Sequence, residues 1–174
     1  MRTIKPRYTE AERKALLSNL VIQVDKREKN NNHILDFFEK HKIQYEERSL
    51  ESGDYNFYIK QCSELGIMWD WWCDNLLVER KNSLDELANN LKEERFFNEI
   101  KRTVDMKHKF LIIENGSWED ILAHKYQSQY SEKAFFSQLI KLMTKYNFKI
   151  IFTKNTGFMI YQICRWILEQ EILK

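Results

Sequence analysis

The sequence predicts an α/β fold, with a mixed or mostly parallel central sheet flanked by helices. Three observations lead there. Short apolar runs rich in branched residues alternate with longer segments whose apolar positions recur at helical spacing. Capping boxes mark two junctions, at Thr9-Glu10-Ala11-Glu12 and at Ser83-Leu84-Asp85-Glu86. The 174 residues are 43% hydrophobic with only Pro 1 and Gly 4, which suits a packed domain and not a linker-rich or disordered chain.

The elements follow in order. Arg2, Lys5 and Arg7 around Pro6 mark a loose arm up to Tyr8. The first capping box starts a short helix through about Leu17, so residues 1–19 form an arm and helix ahead of a single domain, 20–174. Leu20 to Val24 reads as a buried strand that ends abruptly in the charged run Asp25-Lys26-Arg27-Glu28. His33 to Lys40 is helical by the spacing of Ile34, Leu35, Phe37 and Phe38, and Ile43 to Glu47 is a short strand.

Tyr55 to Lys60 and Ile67 to Lys81 read as the arms of a β-hairpin with its turn over Cys62 to Gly66. On the second arm Ile67, Trp69, Trp71 and Cys73 share a face, with Met68 and Trp72 on the other. Cross-strand packing in the core is the favoured role for these tryptophans over stacking on bases. A helix follows from Ser83, with a break near Glu93, to about Met106. Phe110 to Glu114 is a strand closed by Asn115-Gly116. Helices over Ser117–Ala123 and Glu132–Tyr146, a strand over Phe148–Phe152 and a helix capped by Asn155 complete the chain. The last helix is apolar around nearly its whole circumference and needs cover on more than one side. We expect a homodimer formed through this helix, residues 155–172.

Charge and cysteine usage narrow the chemistry. Net charge is +2, no strong overall case for a polyanionic partner, although Lys26-Arg27, Arg80-Lys81, Lys101-Arg102 and Lys107-His108-Lys109 are local basic clusters. No apolar run spans a bilayer and no signal-peptide pattern opens the chain, so an intracellular, cytoplasmic protein is expected. Cys62, Cys73 and Cys164 lack Cys-x-x-Cys spacing, and the four histidines lack ligand spacing. A bound metal would therefore be held by carboxylates, which suits Mg²⁺ or Mn²⁺.

One constellation carries chemistry. Glu79 and Lys81 end the apolar run Leu76-Leu77-Val78 and, by strand alternation, point to the same face. Asp54 follows Gly53 and opens a second strand. Two carboxylates and an ammonium brought together are costly unless they pair or hold a cation. A divalent metal beside a lysine suits metal-assisted phosphodiester hydrolysis.

Val24-Asp25-Lys26-Arg27-Glu28, Gly53-Asp54 and Glu79-Arg80-Lys81-x-x-x-Asp85 together resemble the nuclease domain of XPF-type structure-specific endonucleases. Glu94-Arg95-Phe96-Phe97 and Leu111-Ile112-Ile113-Glu114 follow the same pattern, and the resemblance runs from about Leu20 to Leu168. It implies a restriction-endonuclease-like fold and Mg²⁺- or Mn²⁺-dependent cutting of branched DNA (flap, fork or junction), usually by a dimer, in repair, recombination or phage DNA processing. The chain reads as a stand-alone nuclease domain without helix-hairpin-helix modules.

By that resemblance Asp54 and Glu79 ligate the metal, and Lys81 orients the water or stabilises developing charge. Asp25 and Glu28 are outer ligands or a second metal site. Arg27, Arg80 and Arg95 contact phosphate, with structural ion pairing as the other reading for Arg27 and Arg80. Asp85 supports the site or serves the helix dipole. Two alternatives remain open: a non-catalytic DNA-binding or scaffolding subunit, and a Holliday-junction resolvase of the same fold.

Overall fold

The structure, a computed structural model, describes residues 8–172. Its elements are α1 (Glu10–Ser18), β1 (Leu20–Asp25), α2 (Asn32–Lys40), β2 (Gln44–Arg48), β3 (Tyr55–Ile59), β4 (Trp71–Trp72), β5 (Leu76–Ser83), α3 (Leu84–Asn90), α4 (Glu94–Arg102), β6 (His108–Asn115), α5 (Trp118–Leu122), α6 (Glu132–Lys145), β7 (Phe148–Phe152) and α7 (Thr156–Glu171). The seven strands pair in both parallel and antiparallel senses and the helices flank them, the mixed α/β class that the sequence predicts. The expected N-terminal arm, apart from Tyr8, lies outside the described residues. The chain divides into two compact units, one running to Asp74 and resuming at Gly157, the other Asn75–Thr156. No described helix is long and apolar enough to cross a membrane.

In the first unit β1 is the central strand. It pairs parallel with β2, Val21 opposite Gln44, and antiparallel with β3, Val24 opposite Tyr55. All six of its residues are buried, which is why apolar residues occupy both of its faces, Leu20, Val21 and Ile22 in succession, with no strict alternation. The Thr9 cap forms as expected: its hydroxyl accepts from the Glu12 N–H, and Glu12 reaches back to the Thr9 N–H at 2.8 Å. Ile22, Val24, Ile34, Phe38, Phe57 and Leu168 are fully enclosed, each contributing about 1.5–3 kcal/mol by burial. One side of α7 joins this core through Ile160, Ile163, Cys164 and Ile167, while Phe158 and Trp166 stay exposed. Gly157 lets α7 approach α2, since a Cβ there would stand 2.8 Å from Phe37 Cδ1.

The expected long hairpin arm is not continuous. Within it Trp71 and Trp72 form the short strand β4, which pairs with β3 through Ile59 and Tyr58. Cys62 bridges Ile67 around a short 3₁₀ turn over Ser63–Leu65, closed by Gly66 at φ 80°. The break at Asp74-Asn75 follows from polarity, because two adjacent exposed polar residues have no apolar face to continue the ladder. Trp71 and Cys73 are buried as expected, but Trp69 is 61% exposed. Trp72 lies between packing and solvent, stacked on Tyr58 at 4.4 Å between ring centres.

In the second unit β5, β6 and β7 pair in parallel, Val78 opposite Phe110 and Phe110 opposite Lys149. Helices α3 to α6 cover them around a core that includes Leu87, Leu111, Ile113, Phe135 and Leu139. The break expected near Glu93 is present: the helical stretch between Ser83 and about Met106 is two helices, α3 and α4, parted at Leu91–Glu93. Ser83 accepts from the Glu86 N–H at 3.2 Å, but Glu86 reaches the N–H of Asn82 instead of Ser83, so the capping box is displaced by one residue.

Candidate active site

Each unit holds one group of the residues that the motif singles out. In the first unit, Asp25 ends β1 and its N–H donates to the carbonyl of Asp54 at 2.8 Å, which continues the antiparallel register past Val24–Tyr55. Gly53 precedes with φ 73°, a left-handed conformation that glycine adopts without strain. Asp54 therefore sits at the start of β3, on a turn fixed by backbone pairing.

The Asp25 carboxylate is 2% exposed and both its oxygens are engaged. Oδ1 accepts from the Arg27 N–H at 2.7 Å and from Arg27 Nε at 2.8 Å. Oδ2 accepts from Arg27 Nη2 at 2.9 Å and from the Leu50 N–H at 2.9 Å. The Arg27 guanidinium, joined by the two backbone N–H groups, overcomes burial and holds the Asp25 carboxyl down at about 2. Arg27 also donates to the Leu50 carbonyl at 3.0 Å, so the pair ties the end of β1 to the segment leading into Gly53-Asp54. Asp25 is thus saturated by protein donors, and the exposed Arg27 is tied to it. The half-buried Glu28 follows in the same turn, its N–H on the Asp25 carbonyl at 3.0 Å.

In the second unit, β5 presents Glu79 and Lys81 on one face, as alternation requires. Lys81 Nζ donates to Glu79 Oε1 at 2.8 Å and stands 3.8 Å from Glu86 Oε1. The Phe96 ring lies 5.7 Å from the ammonium. Glu79 Oε2 has no hydrogen-bond partner among the described residues, and the side chain is 22% exposed. One oxygen of this carboxylate is therefore open to a ligand.

Arg80 points to the opposite face, and here the phosphate-contact expectation is corrected. Its guanidinium donates to Glu114 Oε2 at 2.7 Å and the two side chains are 3% and 5% exposed. A guanidinium so enclosed is a structural ion pair between β5 and β6, the other reading that the sequence allowed. Arg95 does face solvent, 82% exposed on α4, paired with Glu99 at 2.9 Å. Asp85 lies in the first turn of α3, and its Oδ1 accepts from the N–H groups of Gln127 and Ser128, each at 2.8 Å.

The donor set suits a divalent cation. Carboxylate oxygens are what Mg²⁺ and Mn²⁺ prefer, and Mg²⁺ is usually held by one or two carboxylates completed by water and substrate phosphate. The open oxygen of Glu79 fits that pattern. Among the described residues no group of three or more His, Cys, Asp or Glu side chains forms a preassembled cage. Sequence reasoning did not assign Glu86 or Glu114 to this region. Glu86 was visible as the capping-box acid, whereas Glu114 ended a strand with no local sign of its partner.

Comparison with known proteins adds the family. The family model of the ERCC4 domain matches residues 24–165. Among solved structures, XPF from Aeropyrum pernix superposes with a TM-score of 0.63 at 21% identity, over 86% of this chain and 66% of that one. XPF from the same organism in complex with DNA superposes with a TM-score of 0.60 at 20% identity, over 88% of this chain and 68% of that one. The chain thus spans about two thirds of the length of the solved proteins it resembles. No curated protein matches it.

Proposed function

Because the chain belongs to the ERCC4 domain family, we propose that it is a Mg²⁺- or Mn²⁺-dependent endonuclease that cuts branched DNA at flaps, forks or junctions. One observation carries the reading: Lys81 Nζ at 2.8 Å from Glu79 Oε1, on one face of β5, with the second carboxylate oxygen open. The order of the motif blocks, Gly53-Asp54 before Glu79-Arg80-Lys81, supports adding Asp54 as the second ligand. Residues 20–174 would act as one nuclease domain in DNA repair, recombination or phage DNA processing, in the cytoplasm.

The metal supplies charge neutralisation at the scissile phosphate and a lowered pKa for a bound water. Glu79 and Asp54 would hold it. The Lys81 ammonium, kept in place by Glu79 and Glu86, would orient the attacking water and donate to the phosphate oxygen that gains charge. Asp25, saturated by Arg27, would act through position by fixing the turn that carries Asp54, with Glu28 as an outer ligand. Arg95, exposed on α4, would contact a DNA phosphate. The exposed side of α7, with Phe158 and Trp166, is the proposed contact with a second copy.

The test is cleavage of labelled 3′ flap, splayed fork, four-way junction, single-stranded and duplex DNA in Mg²⁺ or Mn²⁺. Asp54→Asn and Lys81→Ala proteins run beside it, with a chelator control. Cutting near branch points that is lost in both variants and with chelator is the expected result. Binding to branched DNA without any cutting would replace the nuclease by a scaffolding role, and cutting confined to four-way junctions would point to a resolvase.

A further inference from the structure

The region 123–131 is irregular in backbone but unusually well fastened. Asp85 Oδ1 accepts from two successive N–H groups there, Gln127 and Ser128, both at 2.8 Å. Lys92 Nζ donates to Ser128 Oγ at 2.7 Å and lies 5.6 Å from the centre of the Tyr130 ring. The Tyr126 hydroxyl donates to the Tyr130 carbonyl at 2.7 Å. His124, at φ 48°, is hydrogen-bonded to Glu132 Oε1 at 2.6 Å and stacks on Tyr126 at 4.2 Å. A loop that only connected α5 to α6 would not need an acid forty residues earlier to hold it.

The position of that acid gives the arrangement its meaning. Lys81 lies near the end of β5, Ser83 caps α3, and Asp85 occupies the first turn of α3. The loop is thus hung from a point four residues after Lys81. It presents exposed Gln127 and Gln129, with exposed Lys92 bonded to it. These are hydrogen-bond donors on a preformed backbone, the equipment for phosphate and sugar contacts, which position nucleic acid without reading its sequence.

We infer that Asp85 is a positioning residue, whose carboxylate hangs the loop 123–131 beside the end of β5 so that Lys92, Gln127 and Gln129 contact the DNA backbone. The inference rests on the nuclease reading. It assigns Asp85 a purely accepting role, with no metal to hold. The carbonyl oxygen of an asparagine can accept the same two N–H groups, whereas alanine cannot.

The experiment compares Asp85→Asn and Asp85→Ala in the full chain. Amide hydrogen exchange at Gln127 and Ser128 is read first, since it needs neither metal nor substrate. Both amides are expected to stay protected in Asp85→Asn and to lose protection in Asp85→Ala. Steady-state cleavage of the preferred branched substrate is read second. Asp85→Asn is expected to stay within about threefold of the parent, and Asp85→Ala to raise KM roughly tenfold with kcat little changed. A Gln127→Ala/Gln129→Ala protein, with Asp85 intact, is expected to raise KM with both backbone amides still protected.

Loss of kcat in Asp85→Asn comparable to that in Lys81→Ala would overturn the inference and make Asp85 a member of the reacting centre. Unchanged exchange in Asp85→Ala would overturn the hanging of the loop. Freed amides with unchanged KM would overturn the DNA contact. Should the parent prove unable to cut, fluorescence anisotropy on the same DNA replaces KM: weaker binding by Asp85→Ala and by the glutamine variant supports the contact, and equal binding overturns it.

Discussion

Glu79 and Lys81 share one face of β5, with Lys81 Nζ 2.8 Å from Glu79 Oε1, while the residue between them, Arg80, lies on the other face paired with Glu114. Three consecutive charged residues thus divide into a pair of buried Lys81 and partly exposed Glu79, with an open carboxylate oxygen, and an enclosed structural ion pair. Strand alternation performs the separation, because each successive side chain crosses the sheet plane. The same short motif can in this way serve chemistry on one face and hold two strands together on the other.

Removing the charge of Lys81 or Glu79 separates activity from stability. Lys81→Met and Glu79→Gln should each lower kcat by roughly two to three orders of magnitude, the scale for losing one preorganised charge stabiliser. Stability should fall by only about 1–3 kcal/mol, since Glu79 keeps some solvent contact and Lys81 keeps Glu86 nearby. Turnover on branched DNA and a urea titration check both. A large stability loss with proportionate inactivation would reassign the pair to folding.

The Arg80–Glu114 pair should behave in the opposite way. Glu114→Ala leaves an enclosed guanidinium without its carboxylate and should cost about 3–5 kcal/mol. The double replacement Arg80→Met/Glu114→Leu should cost much less, because no charge is then stranded. Denaturant midpoints of the single and double variants measure this. A single variant within experimental error of the parent would show that solvent reaches the pair.

Asp25 should impose a pH dependence on stability. Its carboxyl is held at about 2 in the folded protein by Arg27 and by the backbone N–H groups of Arg27 and Leu50, against an ordinary aspartate value of 3.8. A depressed folded value means stability that is complete above the unfolded value and fades as pH falls through the folded one. The contribution is about 2 kcal/mol, present above roughly pH 4 and lost toward pH 2. Asp25→Asn should abolish that part of the acid dependence while lowering stability at neutral pH. Thermal melts of both proteins between those limits decide the matter, and parallel curves would refute the assignment.

Gly116 should tolerate no side chain unless Leu84 is shortened. A Cβ at Gly116 would meet Leu84 Cγ at 2.5 Å, in the buried contact between the turn after β6 and the start of α3. Gly116→Ala should therefore cost about 1–3 kcal/mol, and adding Leu84→Ala should cost less than the sum of the single changes. Additive losses in a double-mutant cycle would mean that the backbone moves aside.

The sequence by itself determined the class of the fold and the shared face of Glu79 and Lys81. Both rest on local periodicity, the alternation of a strand and the 3.6-residue turn of a helix, which needs no knowledge of distant partners. The Thr9 capping box and the buried run Leu20–Asp25 were legible for the same reason. What tertiary structure alone decided was the partner of each remaining charge. Arg80 meets an acid 34 residues away, and Asp85 meets two N–H groups 42 and 43 residues away. Asp25 is closed off in part by an N–H 25 residues on. No local pattern encodes such pairings, because they arise only when separate segments pack and set each buried charge beside partners from elsewhere in the chain. The arm from Ile67 to Lys81 shows the same limit: its alternation is regular in sequence, yet the strand stops after Trp72 and resumes at Leu76, since pairing requires a neighbouring backbone and not periodicity alone.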